Sequence, residues 1–459
     1  IAENIQISYK GLYTQEVAKL VAETDQDVEI DESSRVTMHT IGLESQVSQS
    51  AFASVRAAFY NETFDYNLYA DKTDPEAASG DYASRINSFN VHQYLSLAIN
   101  ENHRIEQGVY ISSEASKLDL VTNVVNIGFT RRDLPPNMQF DQNTGHIGTY
   151  VDYAASFANQ FESIVGLRYD YNELFKNDDF GGKLGLTYHI TPDMKAHAFL
   201  GKVVQYPGVL TVFTRDLPLD FSYEPEQLRS ESALHYALGI ERQWPYYILT
   251  RLQLYYKDYD RLLLPVDRVD YAPANVGEGY SQGLDLTIEK AKGPNEWFSG
   301  TLSYSYGKSE YRDTRDMIWI PFNYDRRHGI RALADFSFLK NWGANAVWRY
   351  NSGLPYNEIR GYVWNVDDRS RYVKSTLNEN RYSAYSRFDL RLYYHSQTRY
   401  TRLMVYLDLI NVFNQKNIYE RMYYTLDVEQ EDGPDIKTFK YATIYSMPFI
   451  PSIGVSFWY

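Results

Sequence analysis

The sequence predicts an all-β fold, a large antiparallel transmembrane β-barrel, on three observations. Apolar and polar residues alternate with a period of two along many stretches, the pattern of strands with one apolar and one polar face. The connections between these stretches are short and long in turn, as in barrels with tight turns at one membrane surface and long loops at the other. The 43 tyrosines are apolar in body and polar at the tip, and such residues favour membrane-water boundaries.

Taken in order, residues 1–43 are the hardest to read, with strands expected near 5–9 and 35–41. Between them the acidic run 25–32 lacks the full calcium-loop spacing, with its glycine and final glutamate, so a solvated loop is expected there. From Ala51 the rhythm is regular, with strands predicted at 51–60, 64–70, 89–100, 104–113, 147–157, 161–171, 182–190, 196–204, 233–242 and 247–256. Further strands follow at 283–290, 298–306, 329–338 and 343–350, then a strand pair within 386–414, and a last strand at 452–459. Most are near the roughly 9–11 residues that a tilted strand needs to cross a bilayer. In the pair, Phe388, Leu390, Leu392 and Tyr394 oppose Arg387, Asp389, Arg391 and Tyr393, and Leu403, Val405, Leu407 and Leu409 oppose Arg402, Tyr406 and Asp408.

Short turns are read at 100–103, 159–160, 191–193, 243–245, 292–295, 340–342 and 396–398, and long loops at 117–145, 206–230, 258–279, 307–328, 353–383 and 427–437. A soluble sandwich has no reason to keep every other connection short. Trp244, Trp297 and Trp342 lie at short turns and Trp458 beside the last residue, Tyr459, which places them together as an aromatic girdle at one interface. Within strands the second face is charged or small: His235, Ala237, Gly239 and Glu241 in one, Gly283, Asp285, Thr287 and Glu289 in another. Such a face suits a wide, water-filled interior, and the sheet must close because an unpaired edge is untenable in lipid.

Several classes are excluded. The chain has no cysteine, so it holds no disulfide and no thiolate metal site, and its nine histidines show no metal-ligand spacing. No stretch of about 18 apolar residues offers a transmembrane helix. A net charge of −14 opposes nucleic-acid binding. Gly279-Tyr280-Ser281-Gln282-Gly283 matches the nucleophile-elbow pattern, but it leads into a strand where that chemistry needs a strand-turn-helix, so we expect no enzyme and no cofactor. The opening residues IAENIQISYK carry no signal-peptide pattern, so either a leader has been removed or the sequence begins inside a longer polypeptide.

Several segments carry a family resemblance: LRSESALHYALGIE at 228–241, NVGEGYSQGLDLTIEK at 275–290, NYDRRHGIRALADF at 323–336, WRYNSGLPYN at 348–357, the RFDLRLYY and LDLINVFN pair, and the final PSIGVSFWY. In order and spacing they resemble the barrel of TonB-dependent outer-membrane receptors of Gram-negative bacteria. The resemblance implies a barrel of about 22 strands around a plug, of which about 18 to 20 are readable here. We therefore expect one barrel domain over 1–459, its plug absent or upstream. It implies uptake of a scarce nutrient such as a ferric siderophore, energised through the TonB complex acting on that plug. A passive substrate-selective porin, or a docking platform for a surface lipoprotein or envelope complex, is the alternative.

Outer-membrane lipid and a small nutrient are the partners that follow. Phe213, Phe221, Tyr223, Tyr271, Trp319, Tyr362 and Trp364 are loop aromatics that would stack on a ligand, and Arg215, Arg268, Arg315, Arg360 and Arg369 would pair with its anionic groups. The resemblance also implies structural roles for Asp325, Arg326, Arg327, His328, Asn411 and Asn414.

Overall fold

The computed structural model describes residues 5–22, 28–69, 79–122, 137–158, 160–208, 228–265, 273–294, 296–315, 317–363, 371–374, 377–428 and 436–458. The first strands are β1 (Ile5–Ala22), β2 (Val28–Ser48), β3 (Ala51–Tyr69), β4 (Ser79–Asn100), β5 (His103–Thr122), β6 (Asn137–Phe157), β7 (Phe161–Asn172), β8 (Asn177–Thr191) and β9 (Met194–Gln205). Next come β10 (Glu231–Trp244), β11 (Ile248–Pro265), β12 (Pro273–Lys290), β13 (Phe298–Asp313), β14 (Ile320–Pro321), β15 (His328–Leu339) and β16 (Trp342–Asn351). Four short strands, β17 (Pro355–Tyr356), β18 (Ile359–Val363), β19 (Arg371–Lys374) and β20 (Asn380–Arg381), precede β21 (Tyr385–Gln397), β22 (Arg402–Ile410), β23 (Ile418–Val428), β24 (Ile436–Tyr445) and β25 (Ile450–Trp458).

Among the described residues, 19 of these strands share one sheet, while β17 with β20, β18 with β19, and β23 with β24 form separate pairs. Two compact units are distinguished. The first comprises Ile1–Leu186, Phe199–Leu234 and Tyr259–Glu278. Within it β1 to β7 pair antiparallel in chain order. The second comprises Thr187–Ala198, His235–Asp258 and Gly279–Tyr459. There the order is β13, β15, β16, β21, β22 and β25, again antiparallel, with β14 on the far end of β13.

The register aligns one apolar face across the first unit. Ile7 sits opposite Leu43, Leu43 opposite Val55, Ile111 opposite Ile147, and Val151 opposite Leu167. All of these side chains are exposed. In the second unit Leu302, Trp348, Leu392, Val405, Ile453, Val455 and Phe457 form the same kind of exposed face. Against this, the buried apolar residues among those described are few: Leu118, Ala155, Leu174, Phe175 and Leu228. Apolar surface on this scale is untenable in water. Its strand-by-strand continuity is what a lipid-facing wall requires.

Three sequence expectations are corrected. Strands reach 22 residues in β4 and 21 in β2 and β6, about twice the roughly 9–11 residues expected of a tilted membrane-crossing strand. At about 3.3 Å per residue such strands extend well past a hydrocarbon core about 30 Å thick. Segments taken as loops at 117–145, 258–279 and 307–328 are therefore partly paired strand. Outside lipid neither face need be apolar, and the alternation that marks a strand disappears. Residues 28–32 of the acidic run belong to β2 rather than to a loop, with Asp31 opposite Lys19 in β1 and Asn67 in β3; residues 25–27 lie outside the described residues. Likewise 427–437 is not wholly loop, since Asp427 pairs with Lys437 near the end of the β23–β24 hairpin.

Candidate functional site

Within each unit the two ends of the strands differ. At one end are tight connections such as those between Asn100 and His103 or Leu339 and Trp342. Trp244 ends β10, Trp342 opens β16 and Trp458 closes β25, while Trp297 precedes β13 and accepts the Ser337 N–H at 2.7 Å. Trp297 stacks on Phe336 with centroids 5.8 Å apart, and Trp342 lies 5.1 Å from the ring of Tyr394. Tyr459 lies outside the described residues. The opposite end carries the long connections, and there the polar side chains form two built rims.

In the first unit the rim fastens the connection between β9 and β10. Asn172 Oδ1 accepts the Leu174 N–H at 3.0 Å and the Phe175 N–H at 3.3 Å, turning the chain so that Leu174 and Phe175 pack with Leu228 against Tyr206 and Leu263. Tyr206 donates its hydroxyl to the carbonyls of Asp170 (3.2 Å) and Asn177 (3.1 Å). Burial, and then the Asp179 and Asp170 carboxylates, push the Tyr206 phenol above its usual range, so it stays a donor. Arg168 forks onto the buried Asp170 at 2.6 and 2.7 Å, and His146 Nε2 lies 3.0 Å from the same carboxylate. Asp179 accepts from Ser230 and, at 3.2 Å, from Arg261. Both roots of the connection, at Tyr206 and Ser230, are thus tied to strand ends.

In the second unit the centre is Asp325, whose side chain is 1% exposed. It accepts the Ser309 N–H at 2.8 Å and pairs with Arg327 at 3.0 Å and with Arg381. Arg381 also donates to the carbonyls of Asp325 (2.6 Å) and Gly353 (3.2 Å). Asn378 donates to Pro321 O and Asn323 Oδ1, both at 2.7 Å. The connection after β13 and the one after β16 are therefore joined at their bases. Tyr356 and Tyr382 stack at 4.4 Å, and Arg421 of β23 donates to the Tyr356 hydroxyl at 2.7 Å.

Below these rims the non-lipid face is polar and laced with ion pairs. Arg56 meets Glu44 at 2.7 Å and Lys183 meets Asp152 at 2.8 Å in the first unit. In the second, Arg391 forks onto Asp408 at 2.6 and 2.8 Å. The register there brings Arg331, Arg349 and Arg387 abreast on β15, β16 and β21. Asp389 lies 2.6 Å from Arg349 and 2.7 Å from Arg387. Sequence reasoning did not single out Arg331, Arg349 or Arg381. Alternation assigns the first two to the polar face, but only the strand register makes them neighbours.

The expected ligand residues divide as follows. Phe213, Arg215, Phe221, Tyr223, Arg268, Tyr271, Trp364 and Arg369 lie outside the described residues, and Arg360 and Tyr362 fall in β18, whose backbone alone is described. Arg315 is engaged locally, its Nε 2.9 Å from Asp313 Oδ1. Trp319 packs edge-on to Tyr280 at 5.1 Å and under Arg312 at 4.6 Å. Arg326 is exposed, and His328 Nδ1 lies 3.0 Å from the Tyr304 hydroxyl. Asn411 is fully buried, accepts the Gln415 N–H at 3.0 Å and donates to the carbonyls of Gln415 (3.1 Å) and Met447 (2.9 Å). Asn414 accepts the Phe449 N–H at 3.0 Å. Residues 279–283 lie within β12, without the strand-turn-helix a nucleophile elbow needs.

No curated protein matches this chain in sequence. Among solved structures, the outer membrane transporter YddB from Escherichia coli is similar over 100% of this chain and 67% of its own, at 12% identity and a TM-score of 0.67. The ferric yersiniabactin uptake receptor FyuA from Yersinia pestis is similar over 99% of this chain and 68% of its own, at 12% identity and a TM-score of 0.66. The ferric-catecholate import receptor Fiu from K12 E. coli is similar over 91% and 72%, at 12% identity and a TM-score of 0.61. At such identities these likenesses concern the fold. In sequence, residues 13–412 match the family described as "TonB dependent receptor-like, beta-barrel". That match takes in most of the 459 residues, and this chain belongs to the family of TonB-dependent receptor β-barrels of the Gram-negative outer membrane.

Proposed function

We propose that this chain forms the barrel of a receptor that takes up a scarce nutrient, a ferric siderophore being the leading class, with energy delivered by TonB to an upstream plug. The observation that carries the reading is the family match over residues 13–412, joined to a lipid-facing apolar wall and a polar opposite face. The names of two structural neighbours, a ferric yersiniabactin receptor and a ferric-catecholate receptor, support the siderophore class. Noncovalent capture is the chemistry proposed: aromatic residues such as Phe213, Phe221, Tyr223 and Trp364 would stack on the ligand, and guanidinium groups would pair with its anionic groups.

The test is uptake of radiolabelled ferric siderophores by cells expressing the protein, with and without TonB. Uptake that disappears without TonB is the expected result. Uptake that persists without TonB would identify a passive pore and contradict the reading.

A further inference from the structure

We propose that Arg331, Arg349 and Arg387 form a binding site for a small polyanion carrying carboxylate or phosphate groups, on the polar wall a few residues below the outer ends of β15, β16 and β21. As a statement about the nutrient, it rests on the uptake reading above; as a binding site, it stands by itself.

The register places Arg331 directly opposite Arg349, and Arg349 directly opposite Arg387. Directly paired residues are about 4.5–5.5 Å apart at Cα, so the row is about 10 Å wide. Like charges in such positions repel and destabilise a sheet. One carboxylate relieves part of that cost, since Asp389 pairs with both Arg349 and Arg387. It leaves a net positive row. Arg331 is exposed, and among the described residues no side chain is paired with it.

The other groups on this face do not complete the neutralisation. Asp408 is forked by Arg391, and Asp335 accepts from Asn345 and Tyr393. On the other side Arg331 faces Ser303, whose hydroxyl lies 3.4 Å from that of Thr287. These add two hydroxyl donors beside the unpaired guanidinium. Asp285 and Glu289 of β12 lie two residues to either side of Thr287, a strand beyond Ser303, and Glu289 is held by Arg251 at 3.4 Å. Neither carboxylate is paired with Arg331, and at two strands' remove they lower the positive potential of the row without occupying its donors. Guanidinium groups present paired N–H donors in a planar fork that fits carboxylate and phosphate oxygens two at a time. A row of them with an open end suits two or three anionic groups on one small molecule.

The experiment is titration calorimetry of the full chain in detergent at low ionic strength, with citrate and inorganic pyrophosphate as the probes. Saturable binding of at least one probe that weakens as salt rises is expected. Arg331→Gln should weaken binding by about tenfold, the loss of one charge-assisted bidentate contact. Arg331→Lys should recover part of the loss, and Arg331→Glu should abolish binding. Because Arg331 holds no other side chain and faces Arg349, no variant should melt below the wild type, and Arg331→Glu, which replaces a like-charge pair by an opposite one, should melt at or above it. Absence of binding for both probes, or equal binding by the wild type and Arg331→Glu, would overturn the proposal. The uptake assay separates the two readings. Arg331-dependent anion binding with TonB-independent uptake retains the site and removes the energised receptor, and TonB-dependent uptake without anion binding does the reverse.

Discussion

At the residue scale, Asp325 decides how the outer connections of the second unit are held. Its carboxylate takes a backbone N–H from β13, Arg327 beside it and Arg381 from beyond β16. Removing a buried charge from its partners costs more than the pair contributes, because the partners are left uncompensated. The two arginines are part-exposed, at 25% and 30%, so Asp325→Ala should destabilise by about 2 kcal/mol, below the fully buried range. Thermal unfolding of the purified barrel would show it, with Asp325→Asn intermediate because its amide oxygen still accepts from Ser309. Asn411 offers a second case: its side chain replaces missing backbone partners at a left-handed turn with φ of 53°. Asn411→Ala should cost about 1–3 kcal/mol. The family resemblance singled out the DRRH segment, whereas nothing in the sequence pointed to Arg381, 56 residues from Asp325 along the chain. Nothing local marks an arginine whose partner is supplied by another connection.

At the element scale, three glycines face a tyrosine directly across the sheet: Gly108 faces Tyr150, Gly343 faces Tyr393, and Gly454 faces Tyr406. In each pair the ring occupies the space a Cβ would take. Gly343→Val should therefore displace Tyr393 from Asp335 and destabilise by about 1–3 kcal/mol, measurable as a lowered melting temperature. The turn before β13 yields a pH prediction. The Lys290 ammonium, and then the Gly293 N–H at 3.0 Å, hold the Glu296 carboxyl below its ordinary value. A carboxyl depressed in the folded state stabilises the turn above its unfolded pKa of about 4.3 and loses that contribution as pH falls through the folded value. Amide exchange at Glu296, which donates to Gly293 O, should accelerate relative to neighbouring turns in that acid range and lose this dependence in Glu296→Gln. Strand existence was legible wherever lipid imposes alternation, as in β21 and β22. The outer extensions, the β23–β24 hairpin and residues 28–32 of β2 were not, since water on both sides removes the pattern.

At the scale of the whole molecule, the decisive contrast among the described residues is between an extensive exposed apolar face and a handful of buried apolar residues. A water-soluble chain of this size would invert that proportion. The barrel class was legible because period-two patterning, connection length and tryptophan placement are independent signals that agree. The residues chosen for a ligand fall mostly between the predicted strands, where no sequence periodicity specifies geometry, and most of them lie outside the described residues. The most direct test of the two-faced wall uses the absence of any native cysteine. Single cysteines placed in turn at 403 to 409 in β22 would be exposed, in outer membranes, to a small charged thiol reagent. Positions 404, 406 and 408 should react, and 403, 405, 407 and 409 should be protected by lipid. Equal reactivity along the strand would contradict a membrane-spanning wall with a wet inner face.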